Sequence, residues 1–297
     1  MSEASHTGGK PVDEADRAGS PGQPSGGFGD LAPRVLSALA LVAAASATLY
    51  VGGHVFTLFW LAAAFAVHWE WQGLIGGARR LARVALGAAG LAAAAGLAFA
   101  GETPFALLEL VLFAAIVALI AEPGKRLWAA AGVVYAGALV VSVCILRQSP
   151  QHGLVAIAWL FAVVWGTDVF AYFGGRLIGG PKLWPRVSAG KTWSGTIVGV
   201  LSGALLGVAA VGLGADSQRA TLTLFLIGLV GAALAQVGDL VESAVKRRFG
   251  VKDSSRLIPG HGGVMDRVDG FIFASAFAAL LGALHDPSAP AAGLFFW

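Results

Sequence analysis

The chain has 297 residues, of which 57% are hydrophobic and only 12% are charged, and its mean hydropathy is +0.75. Soluble domains are about half apolar and about a quarter charged, so this composition argues against a soluble enzyme, a secreted scaffold or a nucleic-acid-binding protein. The single cysteine, Cys144, lies inside an apolar run, which excludes a disulfide framework and a cysteine-based zinc site. The formal net charge of +3 is less informative than the positions of the charges.

The first 33 residues differ from the rest of the chain. Residues 1–33 are rich in Gly, Pro, Ser and acidic residues and show no apolar periodicity. Such a segment buries too little surface to offset the entropy of ordering, so we predict a disordered tail. The first apolar run begins only after Arg34, which is not the layout of a secretory signal peptide.

Nine apolar segments follow the tail, separated by glycine, proline and charged residues. They cover approximately residues 35–51, 54–74, 83–100, 104–121, 127–146, 153–173, 193–213, 221–241 and 268–285. Runs of about 20 apolar residues match a bilayer core about 30 Å thick, where the backbone must satisfy its own hydrogen bonds. The sequence therefore predicts an all-α, polytopic integral membrane protein with about nine transmembrane helices. We divide these helices between an N-terminal part, 34–150, and a C-terminal part, 151–297.

The basic residues predict the orientation of these helices. If the N-terminus is cytoplasmic, 18 of the 20 lysines and arginines fall on the cytoplasmic side, and only Arg147 and Arg219 fall outside. This partition follows the positive-inside rule, and eight or ten spans would break it. We therefore expect a cytoplasmic tail, an external C-terminus and a multi-pass location in the inner or plasma membrane.

Two predicted cytoplasmic loops, 167–195 and 238–270, are too long and too polar to be simple connections. With their helix ends they contain six acidic residues, namely Asp168, Asp239, Glu242, Asp253, Asp266 and Asp269. In the first loop, Tyr172 and Arg176 follow Asp168 at i+4 and i+8, on about one helix face. Asp168 is then either a helix-end acid that pairs with Arg176 or part of the wall of a polar site.

A polar stripe marks the eighth segment where it leaves the membrane. Asp239, Glu242, Ser243 and Lys246 are spaced i, i+3, i+4 and i+7, which places them on one helix face. Such a stripe must face protein or a water-filled cavity rather than lipid.

Asp266 and Asp269 share a face at the start of the ninth segment. Two helices that present carboxylates at the same depth form a plausible divalent-cation site, and hard oxygen ligands favour Mg²⁺ shared with substrate phosphates. The alternative is that these acids form salt bridges with Lys252, Arg256 and Arg267.

Glycine-rich and basic sequences accompany the acids. In PGHGGVMDR, Gly262 and Gly263 would let backbone N–H groups approach phosphate oxygens, and His261 could donate to phosphate or act as an acid. A lone loop histidine more often does neither.

SAGKT (188–192) looks like the end of a P-loop, but Pro185 stands where that motif needs glycine and we expect no preceding strand. We nevertheless expect Lys191 and Thr192 to face phosphate. Glu70 and Glu109 lie within apolar segments and are more simply explained as helix–helix contacts.

The sequence SAVKRRFGVKDSSRLIPGHGGVMDRVD (243–269) resembles the signature of the phosphatidate cytidylyltransferase (CDP-diacylglycerol synthase) family. DVFAYFGGRLIGGPK and SAGKT are similar to a second stretch of that family, and the likeness covers roughly 165–285. The family usually has Pro at Ala189, Gly at Ser255 and a small polar residue such as Ser at Gly270. None of these departures removes a charged group, so the implied reaction stands and only the loop geometry is in doubt.

The resemblance implies transfer of a cytidylyl group from CTP to phosphatidic acid, giving CDP-diacylglycerol and pyrophosphate, with Mg²⁺ as cofactor. It leaves open a second, monovalent cation and a homodimer. Membrane lipid is an expected partner, and nucleic acid is not. The 151–297 part would then be the catalytic region, with its active site facing the cytoplasm.

The resemblance also implies roles for individual residues. The implied metal ligands are Asp239 and Asp266, supported by Asp269 and Asp168. The implied catalytic residues are Asp239, Asp266, Lys246 and His261. The implied substrate-binding residues are Ser188, Lys191, Thr192, Ser243, Arg247, Lys252, Asp253, Gly262, Gly263 and Arg267. An ionised lipid phosphate needs no strong base, so none is assigned.

Two kinds of alternative remain open at this stage. A CTP-dependent lipid kinase, or a cytidylyltransferase for another lipid phosphate, would use similar loops. An ion-coupled transporter would also keep carboxylates in apolar helices. Against a transporter, the acids gather at one membrane face beside basic loops, and the segments show no inverted repeat.

Overall fold

The computed structural model describes residues 31–214, 221–258 and 262–296. Most of this part of the chain is helical. Its long helices are α1 (Leu31–Val51), α2 (Gly53–Ile75), α3 (Arg80–Phe99), α4 (Thr103–Ile120), α5 (Arg126–Gln148), α6 (Gly153–Leu177), α7 (Trp193–Gly214), α8 (Thr221–Arg248) and α9 (Met265–His285). A 3-10 turn (Pro123–Lys125), a short helix α10 (Pro290–Phe295) and the strands β1 (Lys182–Trp184) and β2 (Ser188–Thr192) complete it. The predicted tail, apart from its last three residues, lies outside the described residues, as do Arg219 and His261.

Seven helices of the described part are long and apolar enough to cross a membrane, namely α3 to α9. The helix α1 contributes a shorter apolar segment, Val35–Val51. The helix α2 is not among the seven, and its apolar sequence is interrupted by His68, Glu70 and Gln72. The fold is therefore that of a helical, multi-pass membrane protein, and the count of nine spans stays a prediction.

The helices extend further into the two polar segments, 167–195 and 238–270, than the sequence predicted. The helix α6 continues to Leu177, α8 continues to Arg248, and α9 begins at Met265 rather than near residue 268. A helix can continue through polar residues when these face a cavity, because its backbone hydrogen bonds remain internal. The connecting segments are thus only 178–192 and 249–264.

The prediction of an all-α fold is wrong in one detail. Strands β1 and β2 pair as an antiparallel hairpin between α6 and α7, with Lys182 opposite Thr192 and Trp184 opposite Ser188. The SAGKT sequence is β2 itself, and β1 precedes it, so the expectation that no strand precedes SAGKT is also wrong. Glycines at 179 and 180 adopt positive φ at the start of this hairpin, a conformation that glycine allows without strain.

Glycine controls how closely the helices of the C-terminal region approach. A Cβ atom at Gly238 on α8 would lie 2.6 Å from the carbonyl oxygen of Asp269, and one at Gly270 on α9 would lie 2.8 Å from the carbonyl oxygen of Ala235. Small residues allow membrane helices to pack backbone against backbone. This contact brings Asp239 and Asp269 to the same depth.

The helix α5 lies at the centre of the bundle. In the segment Pro123–Gln148, which comprises the preceding turn and α5, 72% of an 18-residue apolar stretch is buried. Aromatic side chains fill the space between the N-terminal and C-terminal helices. Trp60 stacks on Phe271 with ring centroids 4.9 Å apart, and Phe161 lies 5.7 Å from Phe271. The helices on both sides of residue 150 therefore share one core.

The α4–α5 connection is tied to the α2–α3 connection. Glu122 Oε1 accepts a hydrogen bond from the Ala78 N–H at 2.7 Å, and Lys125 Nζ lies 3.1 Å from Glu122 Oε2. These two contacts stabilise the carboxylate and hold the pKa of Glu122 below its usual value.

Candidate active site

A cavity of about 690 Å³ lies between α6, the β1–β2 hairpin, the start of α7, α8 and α9. The residues that the sequence assigned to a site and that line this cavity are Asp168, Ser188, Lys191, Thr192, Asp239, Asp266, Arg267 and Asp269. With Arg176 and Lys182, four acids and four basic residues from α6, the hairpin, α8 and α9 therefore face one space. This composition suits a ligand with several phosphate groups.

A polar network crosses the cavity floor from the hairpin to α8 and α6. Lys191 Nζ lies 2.8 Å from Asp239 Oδ2 and donates to Gln236 Oε1 at 2.9 Å. Gln236 Nε2 in turn donates to Asp168 Oδ1 at 3.5 Å, and Ser243 Oγ donates to Asp239 Oδ1 at 3.3 Å. The ammonium group of Lys191 thus lies against the carboxylate of Asp239, and the side chain of Gln236 links Lys191 to Asp168.

The two interpretations of Asp168 can now be compared. Arg176 Nη1 donates to the hydroxyl of Tyr172 at 2.8 Å, while Asp168 accepts from Gln236. All three α6 residues line the cavity. The geometry thus favours a polar wall over a simple pair between Asp168 and Arg176.

A second network joins α8 to α9. Lys246 Nζ lies 2.7 Å from Glu242 Oε2 and 2.7 Å from Asp266 Oδ1. Asp266 also accepts from the Ser254 N–H at 3.2 Å and from the Gly263 N–H at 2.8 Å. Its partner is therefore Lys246, rather than the Lys252, Arg256 or Arg267 of the salt-bridge alternative.

Thr192 has a local structural role as well as a place in the cavity. Its hydroxyl accepts a hydrogen bond from the Gly195 N–H at 3.1 Å, which satisfies one of the free donors at the start of α7. Lys191 precedes it on β2. The β1–β2 hairpin therefore places Lys191 at the cavity, and the neighbouring Thr192 caps α7.

The other sequence-assigned residues that the structure describes lie outside the cavity lining. Arg247 is exposed and donates to the Val251 carbonyl at 3.0 Å, and Lys252 and Asp253 are exposed in the following turn. Gly262 has a φ of +80°, and a Cβ atom there would lie 2.8 Å from Asp266 Oδ2. Both Gly262 and Gly263 therefore fit closely around Asp266.

Sequence reasoning did not assign several residues that the structure places at the site. Gln236, Lys182 and Thr196 line the cavity. Gln236 stands three residues before Asp239, so the helical period of the α8 stripe would have included it. Glu70 was explained as a helix–helix contact, but it binds the segment that precedes α9. No local pattern could have revealed this, because that segment is almost 200 residues away.

The cavity carboxylates were compared with what a magnesium ion requires. In the described residues, no group of three or more His, Cys, Asp or Glu side chains is placed so that it could hold a metal ion. Mg²⁺ usually takes one or two carboxylates and completes its shell with water and substrate phosphates. Asp239 and Asp269, supported by Asp168, offer such a partial set of oxygen ligands on one cavity wall.

Comparison with known proteins identifies the family of the chain. The sequence model of the cytidylyltransferase family matches residues 32–285. The chain is 39% identical over 272 residues to a phosphatidate cytidylyltransferase from Brucella suis biovar 1 (strain 1330), an alignment that covers 90% of this chain and 98% of the relative.

Two relatives from other bacteria match over about half of each chain. A phosphatidate cytidylyltransferase from Bacillus subtilis (strain 168) is 39% identical over 158 residues, covering 52% of this chain and 58% of the relative. One from Haemophilus influenzae is 41% identical over 133 residues, covering 44% and 46%. The family match spans the N-terminal helices as well as the cavity, and it confirms the resemblance of the 243–269 sequence. The chain belongs to the cytidylyltransferase family.

Proposed function

We propose that the protein transfers the cytidylyl group of CTP to phosphatidic acid, giving CDP-diacylglycerol and pyrophosphate. The observation that carries this proposal is the single cavity that unites acids and bases from α6, the hairpin, α8 and α9. A family match over residues 32–285 and the shared name of the relatives support it. The reaction makes the protein a nucleotidyltransferase of phospholipid biosynthesis.

The residues of the cavity suit an in-line displacement. An oxygen of the lipid phosphate attacks the α-phosphorus of CTP, a new P–O bond forms, and pyrophosphate leaves with the electrons of the broken bond. Phosphoryl chemistry of this kind depends on positioning and charge stabilisation more than on covalent help from the protein. Lys191 and Arg267 would hold phosphate oxygens, and no base is required.

Asp239 and Asp269, with Asp168 in support, would hold magnesium. When bound, the ion would neutralise charge on the phosphates. Lys246, Ser254 and Gly263 donate hydrogen bonds to Asp266. Asp266 would therefore act on the metal-binding carboxylates indirectly, by fixing the start of α9 and by its negative charge. A monovalent cation could share the remaining carboxylate oxygens.

We further propose that nine helices cross the inner or plasma membrane with the N-terminus and the cavity on the cytoplasmic side. The partition of the basic residues supports this orientation. The cavity would then receive CTP from the cytosol and phosphatidic acid from the inner leaflet. A homodimer is compatible with this arrangement and is tested by the mass of the purified protein in detergent.

The decisive experiment supplies the purified full chain with phosphatidic acid, Mg²⁺ and CTP labelled at either the α- or the γ-phosphate. Cytidylyl transfer leaves α-label in lipid and releases γ-label as pyrophosphate. Label from the γ position in lipid would instead indicate a lipid kinase. Transfer to another lipid phosphate but not to phosphatidic acid would change the substrate, and ion flux without lipid labelling would indicate a transporter.

A further inference from the structure

Glu70 on α2 is a carboxylate in the N-terminal half that is almost completely buried, with 1% of its surface exposed. It accepts four hydrogen bonds from one distant segment. Its Oε1 accepts from Ser255 Oγ at 2.6 Å and from the Val264 N–H at 2.9 Å. Its Oε2 accepts from Ser254 Oγ at 3.1 Å and from the Met265 N–H at 2.7 Å.

The partners of Glu70 belong to both ends of the connection between α8 and α9. Two are serines within the connection, Ser254 and Ser255, and two are backbone N–H groups at the start of α9. The N-cap residue of α9, Val264, offers no side-chain cap of its own. The first N–H groups of a helix need acceptors, and a negative charge there is favourable to the helix dipole. Glu70 therefore caps α9 from another helix.

The position of Glu70 bears directly on Asp266. The hydroxyl of Ser254 lies 3.1 Å from Glu70 Oε2 and 3.1 Å from Asp266 Oδ2, so the two carboxylates meet at one serine. A Cβ atom at Gly263 would lie 2.7 Å from both Glu70 oxygens and would also collide with Ser254 Oγ. Gly263 is thus needed for the approach of Glu70, a role distinct from the phosphate contact that the resemblance implied.

The first two turns of α9 supply Asp266, Arg267 and Asp269 to the cavity. A helix start that shifts or frays would move all three side chains together. Glu70 does not line the cavity itself, so it acts on the site only through this helix start.

We propose that Glu70 is a positioning residue of the cytidylyl transfer reaction, which fixes the start of α9 and the preceding segment so that the acids of α9 meet those of α8. The role as a positioning residue depends on the proposed function. The contact of Glu70 with the start of α9 does not depend on the proposed function, and the experiments test the contact and the catalytic effect separately.

The kinetic test compares Glu70→Gln with the wild type. The amide keeps the volume of the side chain but presents an NH₂ group to N–H donors, so the cap is lost on one side. Misplaced reacting groups can cost about 10²-fold in rate, and we expect kcat to fall on the order of 10- to 100-fold while KM for CTP and phosphatidic acid changes little. Glu109→Gln on α4 is the matched control, because Glu109 is also a glutamate within an apolar helix, but its carboxylate has no hydrogen-bond partner among the described residues.

The structural test measures hydrogen exchange at the start of α9 in the full chain. The amides of Val264 and Met265 should exchange faster in Glu70→Gln than in the wild type or in Glu109→Gln, whether or not any protein turns over. If the wild type leaves no α-label in lipid, the proposed function fails, and exchange alone still decides whether Glu70 holds α9.

Two results would overturn the proposal. One is a Glu70→Gln variant whose kcat equals that of the Glu109→Gln control, and the other is unchanged exchange at Val264 and Met265. If Glu70→Gln does not fold, Ser255→Ala replaces it, since it removes one of the four bonds to Glu70, at 2.6 Å, together with a local bond from the Leu257 N–H to Ser255 Oγ. That variant should show the same kcat effect at smaller size, and wild-type kcat there would also overturn the proposal.

Discussion

The ammonium group of Lys246 lies 2.7 Å from Asp266 Oδ1, which joins the C-terminal end of α8 to the first turn of α9. Both side chains are largely shielded, with exposed fractions of 11% and 7%. Glu242 Oε2 lies at the same distance from Lys246. Two residues with implied catalytic roles, one of them also an implied metal ligand, are therefore engaged with each other, and each substitution tests a structural contact together with a chemical role.

Asp266→Asn is expected to fold and to lose nearly all magnesium-dependent activity. Lys246 keeps Glu242 as its partner, which limits the loss of stability. Asp266 fixes the start of α9 at the cavity, and misplaced reacting groups can cost about 10²-fold in rate. The measurement is α-label incorporation at saturating Mg²⁺, with the amount of membrane-inserted protein as the folding check. Glu102→Gln, at an exposed position, should retain full activity, and undiminished turnover in Asp266→Asn would contradict its assigned role.

Lys191→Met should reduce kcat/KM for CTP far more than Lys252→Met does. Lys191 faces the cavity beside Asp239, whereas Lys252 is exposed beyond it. A hydrogen bond to a charged group contributes about 1.5–3 kcal/mol, which corresponds to roughly 10- to 100-fold in kcat/KM. Steady-state kinetics with varied CTP provide the measurement. Equal losses in the two variants would show that the cavity does not define the nucleotide site.

Substitution of Arg176 or Lys182 should weaken the binding of phosphatidic acid more than the binding of CTP. Arg176 lines the cavity near the end of α6, where Phe173 and Leu177 are exposed at 51% and 81% and would contact the bilayer. Arg176→Gln should raise KM for phosphatidic acid by roughly tenfold, as expected for the loss of one charged contact, and should change KM for CTP less. The control is Arg186→Gln, because Arg186 is exposed in the turn of the β1–β2 hairpin and does not line the cavity.

The nine-span orientation makes a direct topological prediction. A reporter fused after Arg219 should be external, and one fused at residue 252 in the α8–α9 connection should be cytoplasmic. The positive-inside partition is the physical reason. Cytoplasmic activity of the reporter at 219 would contradict the nine-span arrangement.

Glu122 should make the stability of the protein depend on pH. Its pKa is lower in the folded protein than the reference value of 4.5, because the Ala78 N–H and Lys125 stabilise its charged form. The unfolded state then binds the proton more tightly, so this contribution is present above pH 4.5 and is lost as the pH falls through the folded pKa. The difference in Tm between wild type and Glu122→Gln, measured in detergent, should shrink over that range. A difference that grows on acidification would have the wrong sign.

The periodicity of the sequence predicted the helices well and the connections poorly. Apolar length located α3 to α9 to within a few residues, except where polar residues continue a helix, as in α8 to Arg248. Spacing placed Asp239 and Lys246 on one face of α8 because a helix repeats every 3.6 residues. The β1–β2 hairpin was missed because its strands, KLW (182–184) and SAGKT (188–192), show no clear alternation of apolar and polar residues.

Sequence alone determined the membrane class and the family and predicted most of the charged residues that line the cavity, because these depend on composition, local period and a contiguous motif. Tertiary structure decided which charges touch. Asp266 pairs with Lys246 and not with Arg267, Gln236 links Asp168 to Lys191, and Glu70 caps α9 from α2. Such contacts depend on how closely helices approach, which the glycines at 238, 263 and 270 permit, and no local pattern encodes the distance between segments that are far apart in the chain.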